Sequence, residues 1–295
     1  MRTPFFLALV VGVLASACTS TTDTVLVAPL PAPDSIGSVS LNGAIDLFWA
    51  DNAFTSAPSR FQWYKIYSTS YDLDHALCGT TWEVEGTTVA PEFLVGALTN
   101  GVPRCYAATA IATDGSESDR SQLWQDTPRP DARNVLVYAD GTNLSQSGFR
   151  FWDDGNGDGV GQANELGIVE SGTAADADFM IHRNADSTLS IVPVFTGTTV
   201  RLYGAGPVAD LTSIDFAPAS GYSSAPLLAQ PGYGYVFQMV EGTVLHYGAV
   251  RMTHVGRQYL IFDWSVQTDP GNPELLRRGG ALVSAPTGSV VTASR

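Results

Sequence analysis

"YGYVFQMVEGTVLHYGAVRMTHVGRQYLIFDWSV", residues 233–266, decides the fold. Three runs rich in Tyr, Val, Phe, Ile and Trp are separated by the dipeptides Glu241-Gly242 and Gly256-Arg257, and their apolar positions show no sustained 3.6-residue period. Aromatic and β-branched side chains suit a pleated surface, and a glycine-bearing dipeptide between two such runs suits a tight hairpin. The stretch predicts three strands in an antiparallel meander.

Working upstream, "NVLVYA" (134–139), "DFMIH" (178–182), "TLSIVPVF" (188–195) and "TTVRLYG" (198–204) read as strands for the same reason. With the meander they predict an antiparallel β domain over 131–280, followed by a small, polar, flexible tail at 281–295. The polar, proline-rich "DTPRPDAR" at 126–133 marks the boundary to a first domain over 34–130. There "AIDLFWA", "RFQWYKIYSTS", "TWEVEG", "EFLVGALTNG" and "RCYAATAIATDGSES" again read as short strands. About seven strands in roughly 95 residues are most economically arranged as two packed sheets. The fold class is all-β, and the chain carries no internal repeat.

The ordered series in the first domain resembles the fibronectin type III family. Trp49 on the second strand, "YKIY" at 64–67, Leu98 followed by Asn100-Gly101, Tyr106 opening "YAATAIA", and "DGSES" at 114–118 carry the resemblance, which covers about a third of the chain. It implies a sandwich with Trp49 in the core and the Tyr106 hydroxyl bonded to the backbone at a corner between strands. It implies no catalytic residue, and such domains in bacterial exported proteins serve as spacers or protein-binding modules. The segment from Leu98 to Tyr106 is longer than the family's usual corner, and Cys105 stands beside the tyrosine.

The N-terminus, "MRTPFFLALVVGVLASACTSTTDT", has a positive Arg2, an apolar run from Phe5 to Leu14 too short to span a bilayer, and small residues before Cys18. This is an export signal over residues 1–17. It resembles a bacterial lipoprotein signal, which implies that Cys18 becomes the lipidated first residue and that 18–33, rich in Thr and Pro, tether the domains to a membrane at the cell envelope or cell surface. Ala15 stands where such signals prefer leucine, and ordinary cleavage after Ala17 is the alternative. With Cys18 assigned to lipid, Cys78 and Cys105 remain as an even pair in an exported chain, where disulfides persist. A bridge closing that loop of about 28 residues contributes on the order of 3–4 kcal/mol by restricting the unfolded chain.

Charge narrows the partners. The chain carries a net −14, so long-range electrostatics oppose nucleic acid and anionic headgroups and favour cations. One segment has the chemistry to hold a cation. "FRFWDDGNGDGVGQANELGI", residues 149–168, meets the calcium-loop spacing D-x-[DN]-x-[DN]-G-x5-E with Asp154, Asn156, Asp158, Gly159 and Glu165. Calcium takes six to eight oxygens at short range, which a chain supplies by turning sharply and presenting alternate positions. In this reading Asp154, Asn156 and Asp158 offer side-chain oxygens, Val160 a backbone carbonyl, Gln162 a direct or water-mediated contact, and Glu165 both carboxylate oxygens. The entering "GFRFW" alternates like a strand, and Gly161 replaces the aliphatic residue that pairs two EF-hand loops, which argues against an EF-hand pair and a conformational sensor. Over about twenty residues the segment resembles the calcium loop of B-type repeats in bacterial surface adhesins, which implies a structural ion.

Enzymatic signatures are missing. No G-x-S-x-G elbow, H-E-x-x-H pair, phosphate loop or dinucleotide-binding unit occurs. His246 and His254, at equal parity on one strand, would stand about 26 Å apart, too far for one metal. Asp215, Glu241 and Asp263 offer no sequence means of pairing as glycosidase carboxylates. The aromatic strands could stack sugars through Tyr233 and Trp264, although alternating aromatics more often fill a core. The expectation is a non-enzymatic binding, adhesion or display module taking a protein or carbohydrate ligand at the cell surface. A carbohydrate-binding accessory protein or glycoside hydrolase is the alternative.

Overall fold

A computed structural model describes residues 28–73 and 75–275. The signal segment, Cys18, most of the tether and the tail at 281–295 lie outside the described residues.

The N-terminal half contains β1 (Asp34–Leu41), β2 (Ala44–Ala50), β3 (Phe61–Asp72), β4 (Leu77–Cys78), β5 (Glu83–Thr88), β6 (Glu92–Val95), β7 (Arg104–Ala112) and β8 (Trp124–Asp126). One sheet runs β1-β2-β6; the other runs β4-β3-β7-β8, with β5 also paired to β3. All pairings are antiparallel. This is the all-β, fibronectin type III-like sandwich that the residue series implied. Its core is modest in volume. Ile45, Leu47, Tyr64, Ile66 and Tyr106 meet a row of alanines, Ala108, Ala110 and Ala112, contributed by alternate positions of β7. Trp49 is buried there, edge-on to Tyr64 at 5.2 Å between ring centroids. The expected disulfide is formed: Cys78 on the marginal β4 is bonded to Cys105 on the central β7, with Cα atoms 5.7 Å apart.

Tyr106 corrects one implication of the resemblance. Its ring is fully buried, but its hydroxyl has no hydrogen-bond partner among the described residues. The longer segment before it displaces the corner, and Asn100 ties it instead. Asn100 Oδ1 accepts from Gly43 N at 2.8 Å, and its Nδ2 donates to Asn42 Oδ1 at 2.9 Å.

The C-terminal half contains β9 (Asp131–Tyr138), β10 (Gly148–Trp152), β11 (Leu166–Glu170), β12 (Phe179–Arg183), β13 (Leu189–Pro193), β14 (Thr198–Tyr203), β15 (Leu227–Leu228), β16 (Gly234–Glu241), β17 (Val244–Val255) and β18 (Tyr259–Gln267). They form two five-stranded antiparallel sheets, β11-β10-β12-β13-β15 and β14-β16-β17-β18-β9. The meander read from the sequence is β16-β17-β18, with Glu241 opposite Val244 at one hairpin and Val255 opposite Leu260 at the other. Between the sheets lie Phe149, Phe151, Phe179, Phe237 and Phe262, all fully buried. Phe179 and Phe237 stack at 4.9 Å, and Phe149 meets Phe262 edge-on at 5.1 Å. The meander sheet is also covered on its other face, by Leu211, Ile214, Ala217 and Leu275.

Between the halves, residues 126–130 are buried and Arg129 is 0% exposed. Buried polar groups need partners, and distant segments supply most of them, although Arg129 Nε and Nη2 have none among the described residues. Asp126 accepts from the hydroxyls of Ser38 and Ser40, each at 2.6 Å. Arg129 N donates to Leu41 O at 3.2 Å, Gly101 N to Pro128 O at 2.8 Å, and Val266 N to Pro130 O at 3.1 Å. Arg129 Nη1 donates to Glu274 O at 3.2 Å, and Asn272 Nδ2 to Thr127 Oγ1 at 3.3 Å. Proline-rich and polar as it is, the segment is threaded through protein on both sides.

Candidate metal centre

The acidic loop joins β10 to β11, whose register places Trp152 opposite Leu166 and Phe149 opposite Val169. Asp153 N donates to Glu165 O at 2.7 Å, which closes the hairpin stem and leaves 154–164 as the loop. Gly157 and Gly159 adopt positive φ, at 69° and 72°, where a side chain would be strained. The reversal turns the carboxylates inward. One oxygen from each of Asp154, Asp158 and Glu165 lies within 4.8 Å of the others.

Backbone and amide donors hold them there. Asp154 Oδ1 accepts from Asp158 N and its Oδ2 from Gly159 N, both at 3.1 Å. Asp158 Oδ1 accepts from Val160 N at 2.8 Å, and its Oδ2 from Gln162 Nε2 at 3.0 Å. Glu165, which is buried, accepts from Gln162 N at 3.2 Å and from Asn156 Nδ2 at 3.0 Å. The three carboxylates therefore share one small volume, and Asn156, Val160 and Gln162 donate to them through nitrogen. Three like charges so close repel each other, and a divalent cation is the species that reverses the sign of that interaction.

Loop and interdomain segment touch. A Cβ placed on Gly161 would lie 3.0 Å from the Leu166 side chain and 3.3 Å from Pro130 Cγ, so a larger residue here would press the loop against both its own stem and the buried segment.

The sugar-stacking expectation is not met. Trp264 is 4% exposed and stands in the core, where a Cβ on Gly167 would fall 2.2 Å from its ring. Tyr233 is half-buried against the same core, so the two rings offer no open platform. Aromatic composition suggested a stacking surface but not that these rings face inward. The carboxylates weighed for hydrolysis also part company. Asp215 accepts from Tyr203 Oη at 2.6 Å, and Asp263 accepts from Asn134 N at 2.9 Å beside Arg133. Glu241 stands at the end of β16.

Asp178, which the sequence did not single out, and His246, which it weighed only against His254, lie beside the loop. Asp178 is buried between Phe151 N, which donates to it at 2.8 Å, and Thr198 Oγ1, which donates at 3.0 Å. Burial, reinforced by the Glu241 carboxylate, pushes its pKa up to about 7 despite those donors. His246 lies edge-on to Trp152 at 5.1 Å, and burial lowers its pKa.

No family model matches the chain, and no curated protein matches it. Among solved structures, a DUF4466 family protein from Parabacteroides merdae ATCC 43184 aligns at 11% identity over 83% of this chain and 95% of its own, with a TM-score of 0.37. An Fn3-like protein from Clostridium thermocellum aligns at 13% identity over 33% of this chain and 92% of its own, with a TM-score of 0.26. The FN1–FN3 domains of chicken CNTN1 align at 10% identity over 85% of this chain and 99% of theirs, with a TM-score of 0.26. The architecture rests on the strand order itself.

Proposed function

We propose that this chain is an exported, non-enzymatic binding or display module, lipid-anchored through Cys18, whose C-terminal sandwich is braced by calcium. The observation that carries the reading is the convergence of Asp154, Asp158 and Glu165 within 4.8 Å on a loop that rests against Pro130. A calcium ion at that centre takes those carboxylates as ligands, with Asn156, Val160 and Gln162 completing the oxygen set. The disulfide between Cys78 and Cys105 supports an oxidising compartment.

The mechanism is preorganisation. An ion fixes a loop that has few core contacts, and a fixed loop presents its neighbours to a partner without a large ordering cost. Extracellular sites of this kind hold calcium at on the order of 0.1–1 mM, so the ion is bound outside the cell and lost inside it. The test is the melting temperature with calcium and with chelator, for the native chain and for Glu165→Gln. Calcium raises the native melt and leaves the variant unchanged. A native melt indifferent to chelation, with no ion found by mass spectrometry, overturns the brace.

A further inference from the structure

At the end of the C-terminal sandwich beside the acidic loop, the two sheets flank a half-open cavity of about 170 Å³. Its floor is apolar, formed by Phe151, Met239 and Val266. The same space is lined by Asp178, from the segment entering β12, by Glu241 at the end of β16, and by Asp154 of the loop. No lysine or arginine lines it. His246 also lines it and is held towards the neutral form by burial. Arg150, a cation that acts on Asp178 from outside the cavity, is itself paired with Asp153 and Asp176.

Asp178 is the informative group. It is 6% exposed, and each of its oxygens accepts one hydrogen bond, from Phe151 N and Thr198 Oγ1. A carboxylate has about four acceptor positions, so roughly half of its capacity remains open. Burial favours the protonated form of such a group, so on an apolar cavity Asp178 gives up its proton readily only where a cation reaches it.

We infer that this cavity binds a primary alkylammonium group, its stem on Phe151, Met239 and Val266 and its charge between Asp178 and Glu241. The inference rests on the reading of the chain as a binding module and names the chemistry of what it binds. An alkylammonium has an apolar stem and a compact charge with three donors, which matches floor and carboxylates together. An anion is repelled by the lining, a hydrated metal ion leaves the apolar floor unused, and an alcohol leaves the carboxylates uncompensated. The group comes either from a free amine or from a lysine side chain of a partner protein.

The test uses the full chain with calcium saturating, followed by NMR of the Trp152 and His246 side chains. The probes are n-butylammonium, n-butanol and acetyl-Gly-Lys-Gly-amide. Butylammonium is expected to shift both side chains saturably and butanol to shift neither. Glu241→Gln should weaken the amine about fivefold, as loss of one partly exposed charge partner does, and Val244→Trp should block the mouth. A peptide that binds more tightly than butylammonium assigns the source to a partner's lysine; the reverse order assigns a free amine. Equal binding of butanol, no binding of either amine, or unchanged affinity in both variants overturns the inference. The calcium-dependent melt of the same samples is read separately. A lost amine signal with an intact calcium effect removes the pocket alone, and the reverse removes the brace alone.

Discussion

The two sandwiches solve the same problem with different means. The N-terminal one fills its core with alanines along β7 and ties its weakly paired β4 to the centre with a disulfide. The C-terminal one contains no cysteine; it buries five phenylalanines between two sheets and covers one of those sheets on its second face as well. Apolar area removed from water scales with side-chain size, so a thin core gains from covalent restriction of the unfolded chain while a thick one does not need it. Covalent and packing stabilisation are thus distributed inversely across the molecule.

The sharpest way to break this comparison is to open the thick core. Phe179→Ala should destabilise the C-terminal sandwich by about 3–5 kcal/mol, since Phe149, Phe151, Phe237 and Phe262 all touch the ring it removes. Denaturant unfolding monitored at Trp264 reads it, and a loss below about 1 kcal/mol would mean that the aromatic core is not what holds this half.

Next in size is a pH effect from the same half. With its folded pKa pushed up to about 7 against 3.8 for the unfolded chain, Asp178 keeps a proton in the folded state that the unfolded state releases. Its contribution is therefore fully present below about pH 4 and is lost as pH rises to about 7, by on the order of 4 kcal/mol. Asp178→Asn keeps the bond to Phe151 N and lets Thr198 accept, so it should flatten that slope. The measurement is the difference in unfolding free energy between native and variant chains across this range. A constant difference would show that Asp178 ionises freely.

Reducing the disulfide should cost about 3 kcal/mol, and Cys78→Ala with Cys105→Ala should reproduce it. If the double variant melts like the native chain, the alanine-lined core suffices and the inverse distribution fails. The smallest expected effect is calcium removal. For an affinity of about 0.1–1 mM, about 2 mM calcium stabilises by roughly 0.6–1.8 kcal/mol, a few degrees in a calorimetric scan.

What could be read from the sequence was what is local. The strands of the meander declare themselves by composition and by glycines at their turns, and the acidic loop declares itself because its six residues lie within twelve positions. The bond between Cys78 and Cys105 was legible from the cysteine count once Cys18 was set aside for the expected anchor. What could not be read depends on pairing at a distance. Whether Trp264 fills the core or faces outward was decided by Phe149 on β10, more than a hundred positions away. The cavity draws Asp178, Glu241 and His246 from three separate elements, so no spacing rule could have grouped them. Tyr106 kept its place in the core and lost its bond because a longer segment moved the corner to Asn100. The segment at 126–131 was legible as a boundary in composition, yet its burial depends on Ser38, Ser40, Gly101 and Val266.

That burial has a consequence for how the molecule can be divided. Cutting after Pro130 would leave Asp126 and Arg129 at the raw end of one fragment, and would expose on the other the surface of Val266 and Asn272 that had covered them. Separating the halves would therefore leave polar groups on both fragments without the partners that burial demands.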